Sequence, residues 1–202
     1  MTEDYKSRDD IELVRLIAQG DRHAFEFLYD REVSSVQKMA YVHLHDHALA
    51  EDIVQETFIR LWKNAYKWRP EAKIKTWLLT VARNRCIDYL RKRKSDQKKS
   101  EGLLRDEILN MYSVEKDSLD KGLGQQDLGK LVYSAIFLLP ERQKEAISLV
   151  YYMECSGVEA ADVMGLTVSA LESLLARARR NLREGLTERR TELMEMVNDK
   201  QK

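Results

Sequence analysis

The chain has 202 residues, in which 34 Lys and Arg balance 34 Asp and Glu, with 8 Gly, 2 Pro and 2 Cys. That balance excludes a global basic excess, and the shortage of glycine and proline beside abundant charge favours helices over sheet. No apolar run approaches the roughly 20 residues that span a bilayer, so membrane insertion is not expected.

The N-terminus, MTEDYKSRDD, lacks the apolar core of a secretory signal, which predicts a cytoplasmic chain. Residues 1–8 read as a mobile polar segment. Asp9 or Asp10 can cap a first amphipathic helix carrying Ile11, Leu13, Val14 and Ile17 and stopped near Gly20. Asp21 can cap a second, with Phe25, Leu28, Tyr29, Val33, Val36 and Ala40 on one side. A third begins near Asp46; Ala50, Ile53, Val54, Thr57, Phe58, Leu61, Trp62 and Ala65 make its apolar stripe. A loop marked by Pro70 follows, and a fourth helix is predicted from about Lys75 to Lys94. These four helices make a first domain, 9–94. Residues 95–128 lose periodicity and read as a flexible polar linker, with one apolar island at Leu103–Tyr112. Pattern returns in a second domain, 129–188. Two helices divide before Pro140; then come a short helix, a turn at Gly165–Leu166, a Thr167 cap and a long basic helix, which is the helix-turn-helix signature. Residues 189–202 read as a tail. The fold class is therefore all-α, with two small helical domains joined by a linker.

Neutral overall, the chain is locally polarised: basic over 83–99, acidic over 101–127 and basic again over 177–190, which suggests two anion-binding faces separated by an acidic connector. On the third helix Asp52, Gln55, Glu56 and Ile59 share the face opposite the apolar stripe. A solvated acidic face is the ordinary reading of such charge. An exposed isoleucine among acids instead fits a docking face for a basic partner helix. The fourth helix carries two stripes. Leu78, Ala82, Cys86, Tyr89 and Leu90 point inward; Trp77, Val81, Asn84, Asp88 and Arg91 form another, with Trp77 expected to anchor in the core. Asn and Arg can bond base edges and phosphates, and Arg69, Lys73, Lys75 and 91–94 supply a phosphate track. In the helix-turn-helix, Thr167, Ser169, Glu172 and Ser173 open a helix on which Arg177, Arg179, Arg180 and Arg183 follow. Small polar groups near bases with arginines on the backbone is the layout of a recognition helix.

His43, His45 and His47 lie just ahead of the third helix. Spacing alone would let His43 and His47 share a metal, but without a nearby thiolate or carboxylate set a solvent-exposed turn is expected. Cys86 and Cys155 lack metal-ligand spacing and read as reduced thiols. No nucleophile elbow, phosphate loop or catalytic carboxylate pair is present, so neither catalytic activity nor a cofactor is expected.

The stretches AEDIVQETFIRLWKNA and KTWLLTVARNRCIDYLRKRK resemble region 2 of the extracytoplasmic-function (ECF) sigma factors of bacterial RNA polymerase, and 139–184 resembles their region 4. The resemblance implies an alternative sigma factor that directs core polymerase to promoters and assists their opening. It implies that Asp52, Gln55 and Glu56, with Ile59 beside them, grip the polymerase clamp. The loop from Trp68 to Lys75, with Asn84, Asp88 and Arg91, would hold the minus-ten element. Region 4 would bind the polymerase flap and read the minus-thirty-five element through Thr167, Ser169, Glu172, Ser173, Arg177, Arg179 and Arg180. An anti-sigma factor, often tied to a membrane sensor, is the implied regulator, clamping together two domains that otherwise have no fixed contact. Family recognition helices often carry basic residues where this chain has Glu172 and Leu174. A stand-alone helix-turn-helix regulator is the alternative; it leaves the acidic face and the loop unexplained.

Overall fold

A computed structural model describes residues 3–97 and 135–199, with side chains over 5–95 and 135–187. Most of the sequence expected to form the linker, including Leu103–Tyr112, lies outside the described residues. The helices are α1 (Glu3–Lys6), α2 (Asp10–Ala18), α3 (Arg22–Leu44), α4 (His47–Asn64), α5 (Ile74–Gln97), α6 (Glu141–Ile147), α7 (Gly157–Met164) and α8 (Val168–Asp199). No strand occurs among the described residues.

The predicted caps form. Asp9 accepts from Glu12 N, Asp21 from His23 N and Ala24 N, and Asp46 from Leu49 N; each satisfies donors that a helix leaves unpaired at its start. Asp10 is freed for another task. Its Oδ2 accepts from Ile74 N at 2.9 Å, so a residue of α2 caps α5, while Arg31 holds its Oδ1 at 2.6 Å. The apolar stripes of α2–α5 meet in a core built on Leu13, Ile17, Leu28, Met39, Leu61, Ile74, Leu78 and Leu79.

The second domain packs α6, α7 and α8 around Leu149, Met153, Val163 and Leu171. Asn181 donates to Gln143 at 2.9 Å, tying α8 to α6. Between α6 and α7 the chain makes a π-helical turn, Ser148–Tyr152, and Glu154 adopts the left-handed conformation at φ 56°. A Ser156–Glu159 capping box starts α7. Gly165 ends it in the left-handed conformation at φ 63°, the position glycine takes without a Cβ penalty. Thr167 Oγ1 accepts from Ala170 N and starts α8, the cap expected there.

Several expectations fail for identifiable reasons. The segment read as mobile holds a helical turn, Glu3–Lys6, from which Tyr5 donates to Asp21 at 3.1 Å and packs its ring 6.2 Å from Phe27. The stretch read as a tail continues α8 to Asp199, since nothing from 189 onward breaks a helix. Tyr89, assigned inward, is exposed, as are Ile11 and, in part, Trp62. Trp62 instead makes edge contact with Phe25 at 5.2 Å, within an aromatic cluster that includes Tyr29 and Phe58. The largest departure concerns the two domains, which pack directly on each other, α3 and α5 against α6, the π turn and α7.

Candidate functional site

The loop between α4 and α5 begins with Trp68, packed on the core, and leads to Lys73 and Lys75. Trp68 and Trp77 wall a cleft of about 510 Å³ whose other lining residues are Arg60, Asn64 and Lys67. Two indoles and two cations around an open cleft suit a flat aromatic group attached to an anion. Trp77 packs against the core on one side, as expected, and lines the cleft on the other. Arg69 is exposed on the loop. Asn84, Asp88 and Arg91 lie exposed along α5, and Arg91 pairs with Asp88 at 3.4 Å.

Lys73 and Lys75 do not project freely. Lys73 Nζ contacts Glu159 of α7 at 2.8 Å, and Lys75 donates to the carbonyl of Met153. The Lys73 bond and the Ser156 cap hold the Glu159 carboxyl down to about 2 against a smaller opposing push from burial. Lys38 of α3 donates to the Tyr152 carbonyl at 3.4 Å. These carbonyls sit at the end of the helical turn before α7, where unpaired C=O groups and the negative end of the helix dipole attract cations.

Deeper in the interface, Glu145 of α6 meets Arg83 of α5, and His43 Nε2 lies 3.5 Å from its Oε1. The Glu145 side chain is 3 % exposed. Burial alone would raise its pKa, but His43 and Arg83 more than offset this and hold the carboxyl below the usual range. Next to it Lys144, 2 % exposed, lies 2.9 Å from His45 Nε2 and 3.0 Å from Glu141, over the ring of Phe137. Burial first, and Lys144 second, push the His45 imidazole down. His45 occupies the left-handed C-cap of α3 at φ 55°. The histidine triplet is therefore not a solvent-exposed turn: His43 and His45 enter the interface, and only His47 faces outward, stacked on Tyr41 at 4.3 Å. No cluster of three metal-ligating side chains occurs among the described residues.

The outer face of α4 is different. Asp52, Gln55, Glu56 and Ile59 are all exposed, Ile59 by 51 %. Arg85 Nε reaches Glu56 at 2.7 Å, linking this face to α5. In the helix-turn-helix Thr167, Ser169, Glu172, Ser173, Arg177, Arg179 and Arg180 are exposed, and Arg179 Nε bonds the Tyr151 hydroxyl at 3.1 Å. Leu174 instead packs on the core, so a basic residue there would not face outward on this backbone. Burial pushes Cys86 up to about 12 and Cys155 up to about 11, which leaves neither thiol nucleophilic at neutral pH.

Comparison with known proteins matches residues 28–95 to the family described as Sigma-70 region 2 and residues 130–182 to Sigma-70, region 4. The two matches together span more than half of the chain. This chain is an ECF sigma factor. It is 30% identical to the ECF RNA polymerase sigma factor SigM of Bacillus subtilis, over 77% of this chain and 91% of that one. It is 29% identical to SigW of the same organism, over 86% and 94%. Its fold resembles that of RpoE from Bartonella quintana, solved with the anti-sigma factor NepR, with a TM-score of 0.64 and 25% identity over 81% of this chain and 96% of RpoE. It also resembles that of CnrH, solved with the cytosolic domain of CnrY, at a TM-score of 0.63 over 89% and 97%.

Sequence reasoning about this sigma factor missed the residues that join its domains. Arg83 stood out as basic, but its partner Glu145 lies 62 residues away. Lys144 and Glu145 sit in PERQKEA, which looks like an ordinary solvated helix start. The signal that could have marked them is the apolar run directly after, which forces one face of that short helix inward.

Proposed function

We propose that this sigma factor docks on the polymerase clamp through Asp52, Gln55, Glu56 and Ile59 and takes an unstacked minus-ten base into the cleft beside Trp68. The cleft between Trp68 and Trp77, with Arg60 and Lys67 at its walls, is the observation that carries the reading. Extracting a base costs a few kcal/mol, and aromatic stacking returns about 1–3 kcal/mol per base. Arg69, Lys73 and Lys75 then neutralise the flanking phosphates, Asn84 reads a base edge, and Arg91, with Asp88 beside it, borders the strand. Region 4 binds the polymerase flap and reads the minus-thirty-five element with Thr167, Ser169, Glu172 and Ser173, while Arg177, Arg179 and Arg180 hold the backbone. Regulation in trans falls to an anti-sigma factor; RpoE, similar in fold, was solved with one. The site of action is the cytoplasm, with membrane attachment only through such a partner; no helix among the described residues is long and apolar enough to cross a membrane.

Transcription by core polymerase on a promoter library, with and without the chain, tests this reading. Discrete new start sites that vanish when Trp68 is replaced by Ala support it. Binding of duplex promoter without polymerase, and no new start sites, would establish the stand-alone regulator instead.

A further inference from the structure

We propose that region 4 inhibits this chain in cis: Glu145, gripped by Arg83 and His43, latches the helix-turn-helix domain over the loop that ends in Lys73 and Lys75. The inference rests on the assignment of that loop to DNA. Every cation that the loop brings to its C-terminal end is already engaged by region 4, Lys73 by the Glu159 carboxylate and Lys75 by the Met153 carbonyl. Lys75, half-buried in that contact, is turned away from a phosphate while it is so engaged, and Lys73 sits beside a carboxylate that repels one. The clamp-facing residues of α4 remain exposed in the same closed form. The chain can therefore meet polymerase before it can take DNA.

The chemistry of the latch suits a device that opens. A buried ion pair gives back in mutual attraction about what its two charges lose in hydration. On separation of the domains, Arg83, Glu145 and Lys144 regain water, so the ionic part of the interface specifies a geometry more than it glues it. Removing one partner is another matter, because the remaining buried charge then has nothing to pair with and opening is its relief. The second lock, Lys144 between His45 and Glu141, obeys the same rule. The exposed Lys73–Glu159 pair, with Lys73 72 % exposed, adds little once salt screens it.

Small-angle scattering on the full chain, with anisotropy of a short fluorescein-labelled oligothymidylate, tests the latch. The forms compared are wild type, Glu145→Gln, Arg83→Glu, Glu145→Arg and the double exchange Arg83→Glu/Glu145→Arg. Helix content by circular dichroism identifies any form that fails to fold, and the near-isosteric Glu145→Gln serves should a charge reversal do so. The latch requires a compact wild type, expanded single variants and a double exchange returned toward compactness. It also requires the expanded forms to bind the oligonucleotide about tenfold more tightly, since a competent state held to a tenth of the population weakens apparent affinity by that factor. Single variants as compact as wild type would overturn the latch alone. Expanded variants with unchanged oligonucleotide binding would overturn the inhibition, and if they also failed to support transcription with core polymerase the DNA assignment of the loop would fall with it.

Discussion

The outer face of α4 and the loop leading into α5 belong to one four-helix domain, carry opposite charge, and differ in what covers them. Asp52, Gln55, Glu56 and Ile59 look into solvent, whereas Lys73 and Lys75 are tied to region 4. Both are polar helix-and-loop surfaces of the kind that a sequence marks as binding faces. A binding face is thus not necessarily an available face. Here availability depends on a second domain and is set by charge pairing across the interface.

The acidic side of the comparison breaks most easily. Asp52→Arg with Glu56→Arg should weaken core-polymerase binding by about 2–5 kcal/mol, the usual cost of spoiling close interface charge pairs. The domain should stay folded, because the Glu56–Arg85 pair is exposed and such pairs contribute at most about 1 kcal/mol. Titration of labelled chain with core polymerase checks the first point and thermal melting the second. Unchanged core affinity would remove α4 as the docking face.

On the basic side, Asn84→Ala should lower discrimination at one minus-ten position by about 1–3 kcal/mol, the range for a base-edge contact. Arg91→Ala should weaken binding alike on all sequences and reduce the salt slope by about 1, because a phosphate contact carries no base information. Competition among promoter variants at several salt concentrations separates the two. Equal loss of base preference in both variants would show that this face of α5 is wrongly assigned.

Acid should loosen the closed form. His45 is held below its ordinary 6.5 in the closed chain, so above that pH closure pays no proton penalty, and as pH falls below it the open form gains protons that the closed form rejects. Glu145, held below its ordinary 4.5, supports closure above that value and ceases to do so as pH falls through its depressed value. His43 also faces Glu145, and following the scattering radius in a His43→Gln background isolates His45. The radius should grow as pH is lowered through the mildly acidic range, and His45→Phe should flatten that growth. A radius independent of pH would remove His45 from the lock. The smallest effect belongs to Lys73→Ala: at ordinary salt the scattering profile should hardly change, and marked expansion would shift the weight of the latch from the buried cluster to the rim.

Local chemistry made much of this molecule legible. The stripes of α2–α5, the caps at Asp9, Asp21, Asp46 and Thr167, and the glycine turn at Gly165 all follow from spacing and side-chain type. The exposed acids on α4 follow from the same rule. What spacing does not encode is pairing at a distance. Asp10 could be read only as a local cap, yet it caps α5 from 64 residues away. His43 and His45 looked like a junction because their partners, Glu145 and Lys144, lie on a different domain. The π turn at Ser148–Tyr152 likewise departs from the simple helical period, and with it the carbonyls that receive Lys38 and Lys75.

The difference between the two faces is tested most directly by pulse acetylation of the free chain, read by mass spectrometry. In wild type Lys75 should react slowly while Lys63, exposed on α4, reacts quickly. In Glu145→Gln, Lys75 should accelerate several-fold, roughly in proportion to the rise in open population, with Lys63 unchanged. Equal and rapid modification of Lys75 in both forms would contradict a covered DNA face and an available clamp face in the resting chain.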